Sequence, residues 1–313
     1  MKKVIALVLA IVMVMTLAAC GGSGSGSAKT EKKLFGYTCM DLTNPFHIAM
    51  RDELKARAEA DGYELIEFDG ASSQSKQNDA IDDMIAQGIS VLFLNPVDQD
   101  GVEPALEACQ KAGVKVIVVD SNVTATQLTE TYISSDNFIA GKQCGEQIVK
   151  DFPDGCSIAI IENPLADSVV QRVAGLESAL EGTNCVIVDR KSIASGPEVL
   201  PAVEDILTAN SDLQVFWGLN DDVSLMILGS VESAGRQDQI KVMSVDGSPS
   251  GKTSVANGAL YATAAQSPVG IADKAYECAK TLVGGGTVEK TYSLPTVLIT
   301  AENVQDNNPS AWG

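Results

Sequence analysis

Five hydrophobic runs in this chain stop on a side chain that can hold a hydroxyl. VLFL ends in Asn95, VIVV in Asp120, FWGL in Asn220 with Asp221 behind it, VMSV in Asp246 and YATAA in Gln266. A sixth run, LFGYTC, leads through Asp41 into DLTNPFHIAM, which carries Asn44, Phe46 and the chain's one histidine, His47. A carboxylate accepts from two neighbouring hydroxyls, and an amide both donates and accepts. Such a set suits a neutral polyhydroxyl ligand. Hydrogen bonds to charged groups contribute roughly 1.5–3 kcal/mol net. Two or three of them, with an aromatic over the ligand's apolar face, reach the roughly −8 kcal/mol of micromolar binding. Phe46 is placed to cover such a face, whereas Trp217, inside a strand, reads as core. Each strand-end residue also has a purely local reading, as a helix cap or turn former. Asn95, which precedes Pro96, and Asp221 are read that way.

Catalytic chemistry finds no support. The chain has no GxSxG, no HExxH and no second histidine for a relay or metal site. GxGxxG does not follow the first strand, so a dinucleotide turn is missing. DGSPSGKT contains Gly-Lys-Thr, but Asp246 stands where a phosphate loop needs glycine and would repel a phosphate. Paired carboxylates for glycoside hydrolysis stay formally open, although aspartates on opposite sides of a cleft suit that chemistry poorly. No enzyme activity, cofactor or metal is therefore expected. His47 loses its reading as an acid or base, and a structural role and a ligand-facing role both stay open.

The elements that must position these residues alternate strand and helix. Apolar runs occupy 34–38, 63–68, 91–95, 114–119, 157–161, 185–188, 213–218, 240–245 and 260–265. Between them, apolar residues recur at three and four, and glycine often marks the helix end. Continuous apolar strands alternating with helices predict parallel sheets covered on both faces. Nine or ten strands over this length predict two sheets, with ligand beyond their carboxyl ends.

The first 33 residues are read apart from the fold. Lys2 and Lys3 precede a run from Val4 to Leu17 that is too short to span a bilayer, which needs about 20 residues. Leu17-Ala18-Ala19-Cys20 resembles a bacterial lipobox, which implies cleavage after residue 19, lipid on Cys20 and a membrane anchor on the extracytoplasmic face. A Gly/Ser tether follows. With 22 basic against 41 acidic residues the net charge is −19, and a nucleic-acid partner lacks the basic footprint it needs. Beyond Cys20, six of the seven cysteines are scattered without zinc-ligand spacing. Cys156 and Cys185 open two predicted strands, and both a disulfide and buried free thiols stay open for that pair.

Taken in order, DLTNPFHIAM, VLFLNP, VIVVD, SDN at 135–137, FWGLND, VMSVDGSP and YATAAQSP resemble the periplasmic sugar-binding proteins of the ribose/galactose type, receptors of ABC importers. The resemblance runs from about Leu34 to Thr300. It implies two Rossmann-like lobes joined by three hinge crossovers, with ligand trapped in the interlobe cleft. Lobe 1 would comprise 34–135 and 267–294, lobe 2 136–266 and 295–313. Position by position it implies ligand contacts at Asn44, Phe46, His47, Asp120, Asn220, Asp246 and Gln266, with Asp167 or Asn163 of ENPLADS adding bonds. The paired arginines of ribose receptors have no match: Ser121 follows Asp120, Val170 or a neighbour takes the helix position, and Arg172 falls at a structural arginine. The implied function is a monomeric, lipid-anchored receptor that delivers a sugar or polyol to permease subunits. A receptor that presents the ligand to a sensor kinase or chemoreceptor is the alternative, ahead of a sugar-modifying enzyme.

Overall fold

The computed structural model describes residues 34–312. Residues 1–33, on which the expected export segment, lipidated Cys20 and tether fall, lie outside the described residues, as does Gly313. The first half of the chain builds one sheet. Its strands are β1 (Leu34–Cys39), β2 (Glu64–Asp69), β3 (Val91–Leu94), β4 (Lys115–Val119) and β5 (Thr131–Ser135), joined late in the chain by β11 (Thr291–Leu294). They lie in the order β11-β5-β4-β3-β1-β2, every pair parallel. The second sheet takes β6 (Ser157–Glu162), β7 (Val186–Ser192), β8 (Val215–Gly218), β9 (Lys241–Asp246), β10 (Ala262–Ala265) and β12 (Val297–Thr300) in the order β12-β10-β9-β8-β6-β7. The chain therefore passes between the sheets three times, after β5, after β10 and between β11 and β12.

β12 departs from the parallel expectation, since it runs antiparallel to β10. The chain arrives from β11 through only Pro295 and Thr296, and Val297 pairs with Ala265 at the carboxyl end of β10. A strand entering at that end can only run backwards. β5, β11 and β12 are also additional to the nine apolar runs. TYISS and TYSL carry too few consecutive apolar residues to stand out, and pairing across long sequence separations is what makes them strands.

Helices cover both faces. In lobe 1 the alternation of β3 sorts the core: Phe93 packs with Phe35, Tyr37 and Met50 under α1 (Pro45–Ala60) and α9 (Pro268–Val283). Leu92 and Leu94 face Ile81, Met84 and Leu106, under α2 (Gln74–Ala86) and α3 (Glu103–Ala112). Each such side chain contributes roughly 1.5–3 kcal/mol when fully buried. Lobe 2 has α4 (Asn137–Asp151), α5 (Asp167–Leu180), α6 (Val199–Ala209), α7 (Asp221–Ser233) and α8 (Pro249–Ala256) around a core that includes Trp217. α8 is the helix that apolar periodicity does not announce, because PSGKTSVA buries only Gly251, Lys252 and Val255.

α4 and α5 approach at glycines. A Cβ on Gly141 would lie 1.8 Å from the Arg172 carbonyl oxygen, and one on Gly175 would lie 1.9 Å from that of Phe138. Only glycine permits this spacing. The contact fixes where Arg172 stands.

Candidate functional site

The carboxyl ends of both sheets border one cavity of about 570 Å³. The lobes touch beside it: the Gln99 amide donates to the Leu165 carbonyl at 3.1 Å, and the Ser168 amide donates to Ser121 Oγ at 3.1 Å.

On the lobe 1 side, Asp41 Oδ1 accepts from the amides of Thr43 and Asn44 and so shapes the turn after β1. Asn44 then caps α1, its Oδ1 accepting from the Phe46 amide at 2.8 Å. That bond leaves the Nδ2 group as the amide's remaining donor. Phe46 and His47 follow in the first turn of α1, both buried and both in the cavity wall. Trp312 lies edge-on to Phe46 with ring centroids 5.6 Å apart, and Nδ1 of His47 lies 2.8 Å from the Asp41 carbonyl oxygen. Asp120, immediately after β4, is buried; its Oδ2 accepts from Asn95 Nδ2 at 3.1 Å, and its buried Oδ1 has no partner.

Lobe 2 repeats the plan. Asn220 caps α7 through Oδ1, which accepts from the Val223 amide at 2.9 Å, again leaving Nδ2 as the donor. Asp246, the last residue of β9, is buried and its Oδ1 accepts from Gln266 Nε2 at 2.8 Å. Arg172 is 4% exposed; its Nε donates to Asn137 Oδ1 and one terminal nitrogen to the Leu219 carbonyl, both at 2.8 Å. The same nitrogen lies 3.9 Å from Asp246 Oδ1. Asp120 and Asp246 both hold positive φ, 64° and 130°. For non-glycine residues such geometry costs on the order of 1–3 kcal/mol and gathers at functional sites.

Burial is the main reason the Asp120 carboxyl sits above its usual range, with the charges of Arg172 and His47 and the Asn95 bond pulling the other way. Burial likewise pushes Asp246 well up, against the pull of Arg172 and with added repulsion from Asp221, Asp222 and Asp120. Asp222, also in the cavity wall, is raised by burial and by its neighbours Asp221 and Asp41. These carboxylates are desolvated without full compensation inside the protein. Ligand hydroxyls would supply the missing donors.

The cavity brings together Asn44, Phe46, His47, Asp120, Asn220 and Asp246. Gln266 does not border it; the side chain holds Asp246 instead. Asp167 also stays off the wall, with Oδ1 3.5 Å from Gln171 Nε2 on its own helix, while Asn163 and Ser168 take the wall. Arg172 makes structural bonds to Asn137 and Leu219, as its placing implies, and also borders the cavity. Val170 is 39% exposed and absent from the wall, and Arg172, two residues on, turns inward to the cavity. One guanidinium therefore remains in the pocket. The helix register shows this only once the α4–α5 contact fixes which face points in.

Asn95 and Asp221 stay out of the cavity wall, but their bonds are tertiary and not the local caps or turns expected of them. Asn95 braces Asp120, while Asp221 accepts from the Ser248 amide, Ser248 Oγ and Thr263 Oγ1, each at 2.7 Å, and ties α7 to α8 and β10. Lys252 of the rejected phosphate motif is 1% exposed and donates to the carbonyls of Asn307 and Ala311. Cys156 and Cys185 are buried free thiols, as are the other four described cysteines.

The sequence matches the profile of the periplasmic binding protein domain over residues 35–287. The chain is 28% identical over 260 residues to the ribose import binding protein RbsB of Escherichia coli (strain K12), covering 82% of this chain and 87% of that one. Among solved structures it is similar to a Caulobacter myo-inositol binding protein bound to myo-inositol, with a TM-score of 0.83, 28% identity and coverage of 89% and 96%. It is also similar to an ABC transporter solute binding protein of Mycobacterium smegmatis with bound glycerol, with a TM-score of 0.83, 30% identity and coverage of 88% and 96%.

Proposed function

The chain belongs to the periplasmic binding protein family, and on that premise we propose that it captures a sugar or polyol between its lobes and delivers it to the permease of an ABC importer. One observation carries the ligand class. Two buried carboxylates, Asp120 and Asp246, face the same cavity from different lobes; Asp120 Oδ1 has no partner among the described residues, and Asp246 Oδ1 accepts from Gln266 Nε2. Around them stand donors suited to ring and hydroxyl oxygens: the Arg172 guanidinium and the Nδ2 groups of Asn44 and Asn220. Phe46 offers the ring face. Ribose and myo-inositol, named for two relatives, are ligands of this chemistry.

Binding couples to lobe closure because the wall is divided between residues 34–135 with 267–294 and residues 136–266 with 295–313. Cys20 carries the lipid that keeps the receptor on the extracytoplasmic face of the membrane, and the Gly/Ser tether gives it reach. In this reading the protein acts as a monomer and releases its ligand unchanged, as its sugar-binding transport relatives imply. A thermal-shift screen of the purified protein against monosaccharides and polyols tests the reading. A ligand at 100 times its Kd adds about 2.7 kcal/mol of stability. No stabilisation by any of them would overturn it.

A further inference from the structure

The cavity is unequal in character along its length. Its polar groups gather at the strand ends, whereas the lobe 2 side continues past Asp222 into aliphatic surface. Val223 and Met226 lie three apart on α7, on the face that meets the cavity, and Leu165 approaches from the turn before α5. Leu165 and Met226 are 40% and 41% exposed, yet both belong to the wall. The segment after β7 completes this end: Ile193 and Val199 back it from the lobe 2 core, Pro197 is exposed, and Ala194, Ser195 and Gly196 before Pro197 are small. A Cβ added at Gly196 would meet nothing within 4 Å. The space persists although Gln99 already joins Leu165 across the lobes. A bare monosaccharide offers one apolar face, and Phe46 covers it. It would leave the aliphatic end in contact with water, where apolar surface gains nothing from binding.

We infer that the ligand is a cyclic polyol or sugar bearing an uncharged substituent with an apolar face, seated between Met226 and the 193–199 segment. An alkyl or aryl aglycone and a nucleobase share that chemistry. The inference rests on the sugar-receptor reading and adds a second compartment to its site. The full chain is titrated calorimetrically with D-ribose, D-allose, D-galactose, D-glucose and myo-inositol, each free and as its O-phenyl derivative, with adenosine set beside ribose. At least one derivative binds ten-fold or more tightly than its parent. Adenosine surpassing both ribose and phenyl riboside identifies a base as the substituent, and phenyl derivatives surpassing their parents identify an aglycone. In the Leu165→Ser/Met226→Ser double variant that ratio falls towards one. Free sugars binding as tightly as every derivative would overturn the inference and leave the receptor reading intact. An unchanged ratio in the double variant would overturn it as well, and silence from every compound would sink both readings.

Discussion

Asp120 in lobe 1 and Asp246 in lobe 2 are held in closely matching ways, yet the walls around them differ. Each carboxylate follows or ends a central strand, has positive φ, and is fixed by an amide reaching from a neighbouring segment, Asn95 in one lobe and Gln266 in the other. In each lobe an asparagine in the cavity wall caps the helix that borders it, through its side-chain oxygen. Lobe 1 then adds the flat side chains Phe46 and His47. Lobe 2 adds a cation, Arg172, and an aliphatic fringe. The shared part suits a generic polyhydroxyl ligand, whereas the unshared part gives the two walls different chemistry.

The largest effect tests the shared part. Asp120→Ala and Asp246→Ala each remove two acceptors for charged hydrogen bonds, roughly 1.5–3 kcal/mol apiece, so affinity falls by about 100-fold or more while the apo protein stays folded. Calorimetry with whichever ligand the screen identifies, beside a thermal melt of each variant, checks both halves. Retained binding in either variant would break the equivalence of the walls.

Gly141→Ala comes next and touches only lobe 2. The added methyl collides with the Arg172 carbonyl, and overpacking of this kind costs typically about 1–3 kcal/mol. Because α5 must shift, the guanidinium moves with it. Affinity then drops by more than the melting temperature alone would explain, and denaturant titration with binding measured on the folded variant separates the two.

Gln266→Leu and Asn95→Leu compare the two braces. Each loses one hydrogen bond to a carboxylate, about 1.5–3 kcal/mol of orientation at most, so each weakens binding by roughly ten-fold, less than loss of the carboxylate it holds. Equal losses would support equivalent braces; an inert Asn95→Leu would show that lobe 1 positions Asp120 through its backbone, where Tyr132 donates to the carbonyl at 2.9 Å.

The smallest effect is a drift with pH. Asp120 and Asp246 have folded pKa values above their unfolded ones. The stability this confers is complete below the unfolded value, near 3.9 for an aspartate, and is lost as pH rises through the folded values. The apo melting temperature therefore declines from pH 4 towards neutrality, and the Asp120→Asn/Asp246→Asn double variant flattens that slope. Ligand hydroxyls favour the ionised carboxylates, so affinity moves the opposite way and weakens on acidification.

Much of the cleft was legible because one rule serves both fold and site. A parallel strand buried on both faces must be apolar throughout, so the first polar residue after it marks the rim where ligand binds. That rule located Asp120, Asn220 and Asp246 directly, and the turn after β1 located Asn44, Phe46 and His47. It placed Gln266 at the rim as well, but could not tell a ligand contact from a brace, since both require a polar side chain at a strand end. Capping does not exhaust Asn44 and Asn220, because the cap engages the oxygen and leaves the nitrogen.

The sequence by itself determined the alternation of strand and helix, the two parallel-sheet lobes and the strand-end side chains, because these follow from burial and local backbone chemistry. Only the tertiary structure decided the rest. Arg172 faces the cavity instead of Val170 because two glycines let α4 and α5 close on each other. β12 reverses because the third crossing leaves two residues to turn in. Leu165, Met226 and the 193–199 segment form one aliphatic end because separate parts of lobe 2 converge there. Such contacts depend on residues far apart in the chain, and no local pattern records them.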